Sequence, residues 1–151
     1  MNHQPFVIGR TFNAPAARIW KALTNKDEMR QWYFNIKEFR PELGFEFQFT
    51  GGKEGKTCLH RCKITELIPG KKISYSWSYD GYPGISFLSF ELFPEGGSTR
   101  LVLTHAGLET FPSNNPDFAR ESFAEGWTYI IGSSLKQFTE SSQINHDEVH
   151  A

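Results

Sequence analysis

The chain has 151 residues, which is the size of one domain and is long enough to bury a hydrophobic core. Its 16 basic and 17 acidic side chains nearly cancel and form no basic stripe, so the charge pattern argues against a nucleic-acid partner. The unusual feature is the aromatic content, 15% of the residues with 14 Phe and 4 Trp, which is typical of a large core or of an apolar ligand site.

Neither a membrane span nor a signal peptide is predicted. No apolar run approaches the roughly 20 residues that cross a bilayer. Residues 1–10 lack the charged region and apolar stretch of a secretory signal. We therefore expect a cytoplasmic protein.

The two cysteines, Cys58 and Cys62, fall on one predicted strand. At about 3.3 Å per residue their Cα atoms would lie about 13 Å apart. A disulfide requires less than about 7 Å between these atoms. We expect free thiols, in keeping with a reducing compartment.

The N-terminal third predicts one strand and two short helices. Residues 6–13 alternate between apolar and polar side chains, as a strand does. Pro15 suits the first turn of a helix. Asn25, followed three residues later by Glu28, resembles a capping box for a second helix that ends near residue 32.

From residue 45 the hydrophobic period changes to two, which indicates strands. Turn signals rich in Gly and Pro separate the alternating runs, with Gly51 and Gly52 ending the first of them. This pattern predicts an antiparallel meander with one face open to water. The predicted strands cover residues 45–49, 57–68, 73–79, 85–93 and 99–105.

The remainder predicts one long helix over residues 116–140, with Asn115 as its cap and Pro116 in its first turn. Apolar side chains recur there at three and four residues and form one broad stripe. A helix of this length spans roughly 37 Å, enough to cross a whole sheet. The polar tail, residues 143–151, is expected to fray.

These elements predict an α+β fold in a single domain, residues 1–142. A curved antiparallel six-stranded sheet would wrap the long C-terminal helix, with the two short helices after the first strand. The apolar face of the sheet and the stripe of the helix must cover each other, because neither is stable in water.

The composition of the inner surfaces predicts a cavity between these two layers. Small residues interrupt the helix stripe at Gly126, Gly132, Ser133 and Ser134, and a strongly twisted sheet diverges from a straight helix at its ends. Isolated polar side chains share the inner faces, and their unpaired burial would be costly. These are Arg10, His60, Tyr75 and His105.

Several runs resemble the START-like (helix-grip) superfamily, and most closely the branch homologous to the activator of the heat-shock-protein-ninety ATPase. The similarity covers about residues 6–140. The order and spacing of the runs are more specific than any single one. They are residues 10–15, 19–24 and Trp32, then 64–77, then 98–101 and 105–108, and finally 125–127 with Leu135.

The resemblance implies a helix-grip fold whose internal cavity takes lipid-like, aromatic or polyketide-like molecules. It does not imply chaperone activation, because a lone domain of this size resembles the bacterial members of the branch. Two features depart from the pattern. Ile68 stands where the branch more often has a polar residue, and the cysteines around His60 are not a family feature.

We predict that a small apolar molecule binds between the sheet and the long helix, with no cofactor and no metal. An orienting role is predicted for Tyr75, His60 or Arg10, since a buried guanidinium needs an anionic or carbonyl partner. The predicted ligand-binding residues are Arg10, Trp32, Phe47, His60, Tyr75, Trp77, Phe90, Leu103, His105 and Trp127.

Alternatives remain open at this stage. Cys58, His60 and Cys62 carry zinc-ligand atoms on one strand face, although buried thiols acting as small apolar residues are favoured. His60 and His105 are candidate acid–base groups for a cyclase, aromatase or hydrolase, although hydrogen-bonded core histidines are favoured. A chaperone-associated interaction module is the third function, and a weak homodimer is the one further partner considered.

Overall fold

In the described part of the chain, one antiparallel sheet and three helices build the fold. The computed structural model describes residues 4–34, 36–53, 56–112, 114 and 118–140, with residues 52, 53 and 56–58 described by backbone alone. Its elements are β1 (Phe6–Phe12), α1 (Ala16–Thr24), α2 (Lys26–Trp32), β2 (Glu46–Lys53), β3 (Lys56–Ile68), β4 (Lys72–Tyr79), β5 (Ser86–Glu95), β6 (Ser98–Ala106), a 3-10 turn (Leu108–Thr110) and α3 (Arg120–Tyr129).

The six strands form one sheet in the order β1-β6-β5-β4-β3-β2, with every neighbouring pair antiparallel. Strands β2 to β6 follow each other as a meander, and β1 joins at the far edge beside β6. A register shift between Ile64 and Glu66 marks a bulge, which adds to the bend of the long strand β3. The predicted α+β helix-grip fold is confirmed.

The C-terminal helix, residues 120–140, packs on the inner face of the sheet. After α3 it continues without a break as a π-helical segment (Ile130–Leu135) and ends with a regular α-helical stretch. Ile131 and Leu135 are fully buried against the sheet. A π-helical segment of this kind shifts which side chains face the core, because it adds a residue to one turn.

Two boundaries differ from the sequence prediction. β2 continues through Gly51 and Gly52, because both glycines keep their pairing with β3. The C-terminal helix begins at Arg120, since Ala119 has an extended backbone. The predicted cap at Asn115 and Pro116, and the predicted tail from residue 143, lie outside the described residues.

The two short helices form as predicted, with a partial capping box. Asn25 Oδ1 accepts a hydrogen bond from the Glu28 backbone N–H at 3.1 Å, which satisfies one free donor at the start of α2. The Glu28 carboxylate does not return the bond to Asn25. It pairs instead with Arg18 of α1 at 2.6 Å, so the same residue ties the two helices together.

Side chains of the C-terminal helix form hydrogen bonds with backbone groups near both ends of the edge strand β1. Arg120 donates to the carbonyl oxygens of Gln4 (2.7 Å) and Pro5 (3.1 Å), and Lys136 donates to that of Thr11 (3.1 Å). The Asn13 backbone N–H donates to Glu140 at 2.8 Å. The C-terminal helix therefore supplies partners for backbone groups near both ends of β1. In the described part of the chain, no helix combines the length and apolarity that a bilayer crossing requires.

Candidate functional site

A cavity of about 590 Å³ lies between β3–β4, the segment that follows α2, and the C-terminal helix. It is partly open to solvent. Its volume falls within the range of small-molecule sites in proteins. The described residues that line it are Gln31, Trp32, Tyr33, Phe34, Gly51, His60, Trp77, Tyr79, Phe118, Ser122, Phe123, Gly126, Trp127, Tyr129, Ile130 and Ser134.

Three consecutive aromatic residues after α2 form one wall. The Trp32 indole N–H donates to the Ala22 carbonyl oxygen at 2.8 Å, and Ser134 of the C-terminal helix donates to the Trp32 carbonyl oxygen at 2.6 Å. The Tyr33 ring stacks on Trp32 with 4.7 Å between centroids. The Phe34 ring stacks on Phe49 of β2 at 4.3 Å. This wall is therefore fixed to α1, to the C-terminal helix and to β2.

Two glycines shape the cavity in opposite ways. A Cβ atom on Gly51 would lie 2.9 Å from the Phe34 ring and 3.4 Å from His60, so only glycine lets Phe34 approach the strand so closely. A Cβ atom on Gly126 would meet nothing within 4 Å. The missing side chain at Gly126 thus leaves the helix backbone open to the cavity, as predicted. Gly132 serves a different purpose, because its open surface accommodates the Arg10 side chain.

The phenol of Tyr33 in this wall pairs with that of Tyr75, which is packed in the core behind it. The hydroxyls of Tyr33 and Tyr75 are 2.8 Å apart and hydrogen-bond each other. Burial, followed by their mutual interaction, raises the pKa of Tyr33 well above its ordinary value, and burial likewise raises the pKa of Tyr75. Burial also raises the pKa of the Cys62 thiol. All three groups therefore stay protonated in the native protein at neutral pH.

His105 lies at the centre of a buried hydrogen-bond chain. The Trp127 indole N–H donates to His105 Nδ1 at 3.0 Å, which assigns the ring proton to Nε2. Nε2 then donates to Ser86 Oγ at 2.7 Å, and the Ser86 hydroxyl donates to the Trp77 carbonyl oxygen at 3.0 Å. Burial lowers the pKa of His105 to about 3, so the imidazole is neutral. This chain connects Trp77 and Trp127, two of the three tryptophans of the cavity wall.

The two hydrogen bonds of the His105 ring can be tested separately by substitution. In His105→Asn the amide oxygen replaces the Nδ1 acceptor, and in His105→Gln the amide nitrogen replaces the Nε2 donor. We expect His105→Asn to hold the Trp127 indole and to keep the tryptophan emission spectrum of the parent. His105→Gln should leave the indole N–H unpaired, at a cost of about 1–3 kcal/mol in the free energy of unfolding. Equal spectra and stabilities for the two variants would contradict the assignment.

His60 lies in the cavity wall on β3. Its ring stacks on Phe49 at 4.6 Å and meets Trp77 edge-on at 5.0 Å. It is buried to all but 6% of its surface. Among the residues considered as acid–base groups from the sequence, it is the one that lines the cavity, since His105 is fully buried with both ring nitrogens engaged.

The structure divides the predicted ligand-binding residues into three groups. Trp32, His60, Trp77 and Trp127 line the cavity together. Arg10 is exposed at the sheet edge and donates to the Gly9 carbonyl oxygen, which corrects the prediction that its guanidinium faces inward. The charged group reaches water there and avoids the cost of unpaired burial. The remaining five, Phe47, Tyr75, Phe90, Leu103 and His105, are packed in the core behind the cavity.

Several lining residues lie outside the set predicted from the sequence. Tyr33 and Phe34 follow Trp32 directly. The run of three aromatic residues at a helix end is the sequence signal that could have identified them. Tyr79 ends the alternating run of β4, one step beyond Trp77. Phe118 lies just before the start of the C-terminal helix and Ser122 just after it, where no periodic pattern assigns a face.

The described residues contain no cluster of side chains that could bind zinc. No three His, Cys, Asp or Glu side chains converge there. Cys62 is buried as a free thiol, and the Cys58 side chain lies outside the described residues. A buried Cys62 fits the favoured interpretation, in which the thiol packs as a small apolar group.

Comparisons with known proteins agree with the resemblance found in the sequence. The family model described as "Activator of Hsp90 ATPase homolog 1-like protein" matches residues 13–140. A search of curated protein sequences finds no match.

Solved structures share the fold at low sequence identity. Protein CV1439 from Chromobacterium violaceum is 21% identical with a TM-score of 0.76, and the match covers 91% of this chain and 97% of that one. CalU16 from Micromonospora echinospora is 23% identical with a TM-score of 0.65, covering 93% and 79%. DynU16, from the dynemicin biosynthetic locus, is 16% identical with a TM-score of 0.75, covering 93% and 49%.

Proposed function

Because the chain belongs to the family of Activator of Hsp90 ATPase homolog 1-like proteins, we propose that it binds a small apolar molecule in the cavity between β3–β4 and the C-terminal helix. The observation that carries the proposal is the cavity of about 590 Å³ with a mainly aromatic lining. Binding of an apolar molecule to an apolar cavity of this size is favourable, because it removes apolar surface of the ligand and of the cavity from water. The place of the similar DynU16 in a biosynthetic locus is consistent with a small-molecule ligand.

Hydrogen bonds hold the side chains of the wall in place, which supports a binding site over an incidental gap in the packing. Ser134 and Ala22 hold Trp32, and His105 holds Trp127, each through a hydrogen bond of 3.0 Å or less. A site whose side chains are already fixed loses little conformational entropy when a ligand enters. The cavity is therefore preorganised.

The enzyme alternative depends on His60 alone. His105 is excluded from acid–base work by its position in the core and by its two engaged nitrogens. The interaction-module alternative has weaker support, because the exposed large apolar side chains are spread over separate elements. Val7 lies on β1, Leu43 precedes β2, and Phe87 lies on β5.

Gly126→Leu tests the proposal directly. The new side chain enters open space, so it should clash with nothing and should remove the helix penalty of glycine, which is about 1 kcal/mol. We expect a melting temperature equal to or above that of the parent. We also expect binding of the neutral fluorescent probe N-phenyl-1-naphthylamine to weaken about tenfold or more, because the side chain fills the cavity.

Thr128→Leu is the matched control, since it places the same side chain two residues along the helix, at an exposed position outside the cavity lining. It should leave probe affinity unchanged. A parent protein that does not bind the probe, or a Gly126→Leu variant that binds it as well as the parent does, would refute the proposed cavity function.

A further inference from the structure

The described residues in the walls of the cavity carry no formal charge. None of the sixteen described residues that line it is Asp, Glu, Lys or Arg. Its polar groups are hydroxyls, one imidazole and the amide of Gln31. An ionised ligand would leave water without a counter-ion in such a site, which is unfavourable by several kcal/mol. The lining therefore disfavours carboxylates, sulfonates and phosphates.

The apolar part of the lining is flat rather than branched. Ten of the sixteen lining residues carry a ring, counting the imidazole of His60, and Ile130 is the single branched aliphatic side chain among them. The branched residues of the fold lie elsewhere in the core, for example Ile73, Leu88 and Leu101. Ring faces and edges attract other rings beyond the effect of buried area, because of their quadrupoles.

The rings of the wall are also held at defined angles to one another. Tyr33 and Trp127 lie nearly parallel, at 28° with 6.2 Å between centroids, whereas Trp77 meets Trp127 at 61° and 5.4 Å. Flat walls held at fixed angles complement a flat ligand. A flexible alkyl chain would instead have to freeze several bonds to lie against them.

Polar groups mark the opening of the cavity. Gln31 and Tyr129 both line it and are both exposed, and Tyr129 keeps 67% of its surface in contact with solvent. A hydroxyl or carbonyl group on a ligand would reach these side chains while its rings stay inside. The deep wall, by contrast, is formed by Trp77, Trp127 and Phe123, which are almost fully buried.

We propose that the cavity selects an uncharged, planar aromatic molecule with a hydroxyl or carbonyl group at one end, over an alkyl chain or an organic anion of similar size. This inference rests on the proposed function and specifies its ligand class. The order of affinities is set by the rings and by the lack of charged side chains among the described lining residues. Hydrophobicity alone would give a different order.

Three matched ligands test the proposal by displacement of N-phenyl-1-naphthylamine. 2-Naphthol is the neutral aromatic ligand, 2-naphthoate adds a negative charge to the same rings, and 1-decanol has the same number of non-hydrogen atoms as 2-naphthol without rings. 1-Decanol is the more hydrophobic alcohol, so partitioning into an oily site would favour it. We expect 2-naphthol to bind about tenfold more tightly than either of the others.

Phe34→Leu provides the second arm, since it replaces a half-buried wall ring with a branched side chain. It should reduce the preference for 2-naphthol over 1-decanol by about threefold or more. If the probe binds and Gly126→Leu blocks it, yet 1-decanol or 2-naphthoate matches 2-naphthol, the ligand class is wrong and the cavity function stands. If the probe does not bind to the parent protein, both proposals fail.

Discussion

The free energy of unfolding is expected to fall steeply above about pH 9, by about 5 kcal/mol at pH 11 relative to neutral pH. Tyr33, Tyr75 and Cys62 are the cause, because each has its pKa raised by burial in the native protein. In the unfolded chain the thiol ionises above about pH 9 and the phenols above about pH 10. The native protein holds protons that the unfolded chain has lost, so stability decreases as the pH rises, by about 1.4 kcal/mol per group and pH unit.

The double variant Tyr33→Phe/Tyr75→Phe isolates the phenols. It removes both hydroxyls of the 2.8 Å pair together, so no buried polar atom is left without its partner and neutral stability should change little. Urea unfolding at pH 7 and pH 11 should show about half of the parent's alkaline loss, because the Cys62 thiol remains. Tyr129→Phe is the control, because that tyrosine is 67% exposed and meets water in both states. An unchanged alkaline loss in the double variant would contradict the buried-phenol account.

Acid is expected to destabilise the protein through His105. Its pKa is lowered to about 3 by burial among the rings of Trp77, Phe123 and Trp127, whereas the unfolded chain binds the proton near pH 6.5. Between these values the unfolded chain carries a proton that the native protein lacks. Stability therefore falls as the pH falls, by about 1.4 kcal/mol per pH unit.

The variant that tests this loss of stability at low pH is His105→Asn, which keeps an acceptor for the Trp127 indole and cannot titrate. Urea unfolding at several pH values from 7 to 4 should give a shallower loss of stability for this variant than for the parent. The m-values should agree, so that the change reflects stability and not a different extent of unfolding. Parallel curves for the two proteins would mean that other groups cause the acid loss.

Most of the fold followed from hydrophobic periodicity. The strands were placed within a few residues, and the capping role of Asn25 was recognised from its spacing to Glu28. The extension of β2 through Gly51 was missed, because glycine usually ends a strand and its close contact with Phe34 depends on a segment distant in sequence. Local patterns cannot contain that information.

The site was predicted less completely, for a related reason. Alternation along a strand identifies the inner face and not the depth, so Phe47 and Phe90 were assigned to the cavity although they pack in the core behind it. Arg10 has the correct face for burial, yet β1 is the edge strand and its guanidinium escapes to solvent. The partnership of His105 with Trp127 joins residues 22 positions apart, and only the folded chain brings them together.

The occupied edge of β1 restricts how copies of this protein can associate. Strands that expose free backbone groups act as templates for intermolecular β-pairing and for aggregation. Here Arg120 and Lys136 already engage the carbonyls of Gln4, Pro5 and Thr11, so an incoming strand would have to displace three charge-assisted bonds first. A strand that paired with the ends of β1 would therefore compete directly with side chains of the C-terminal helix.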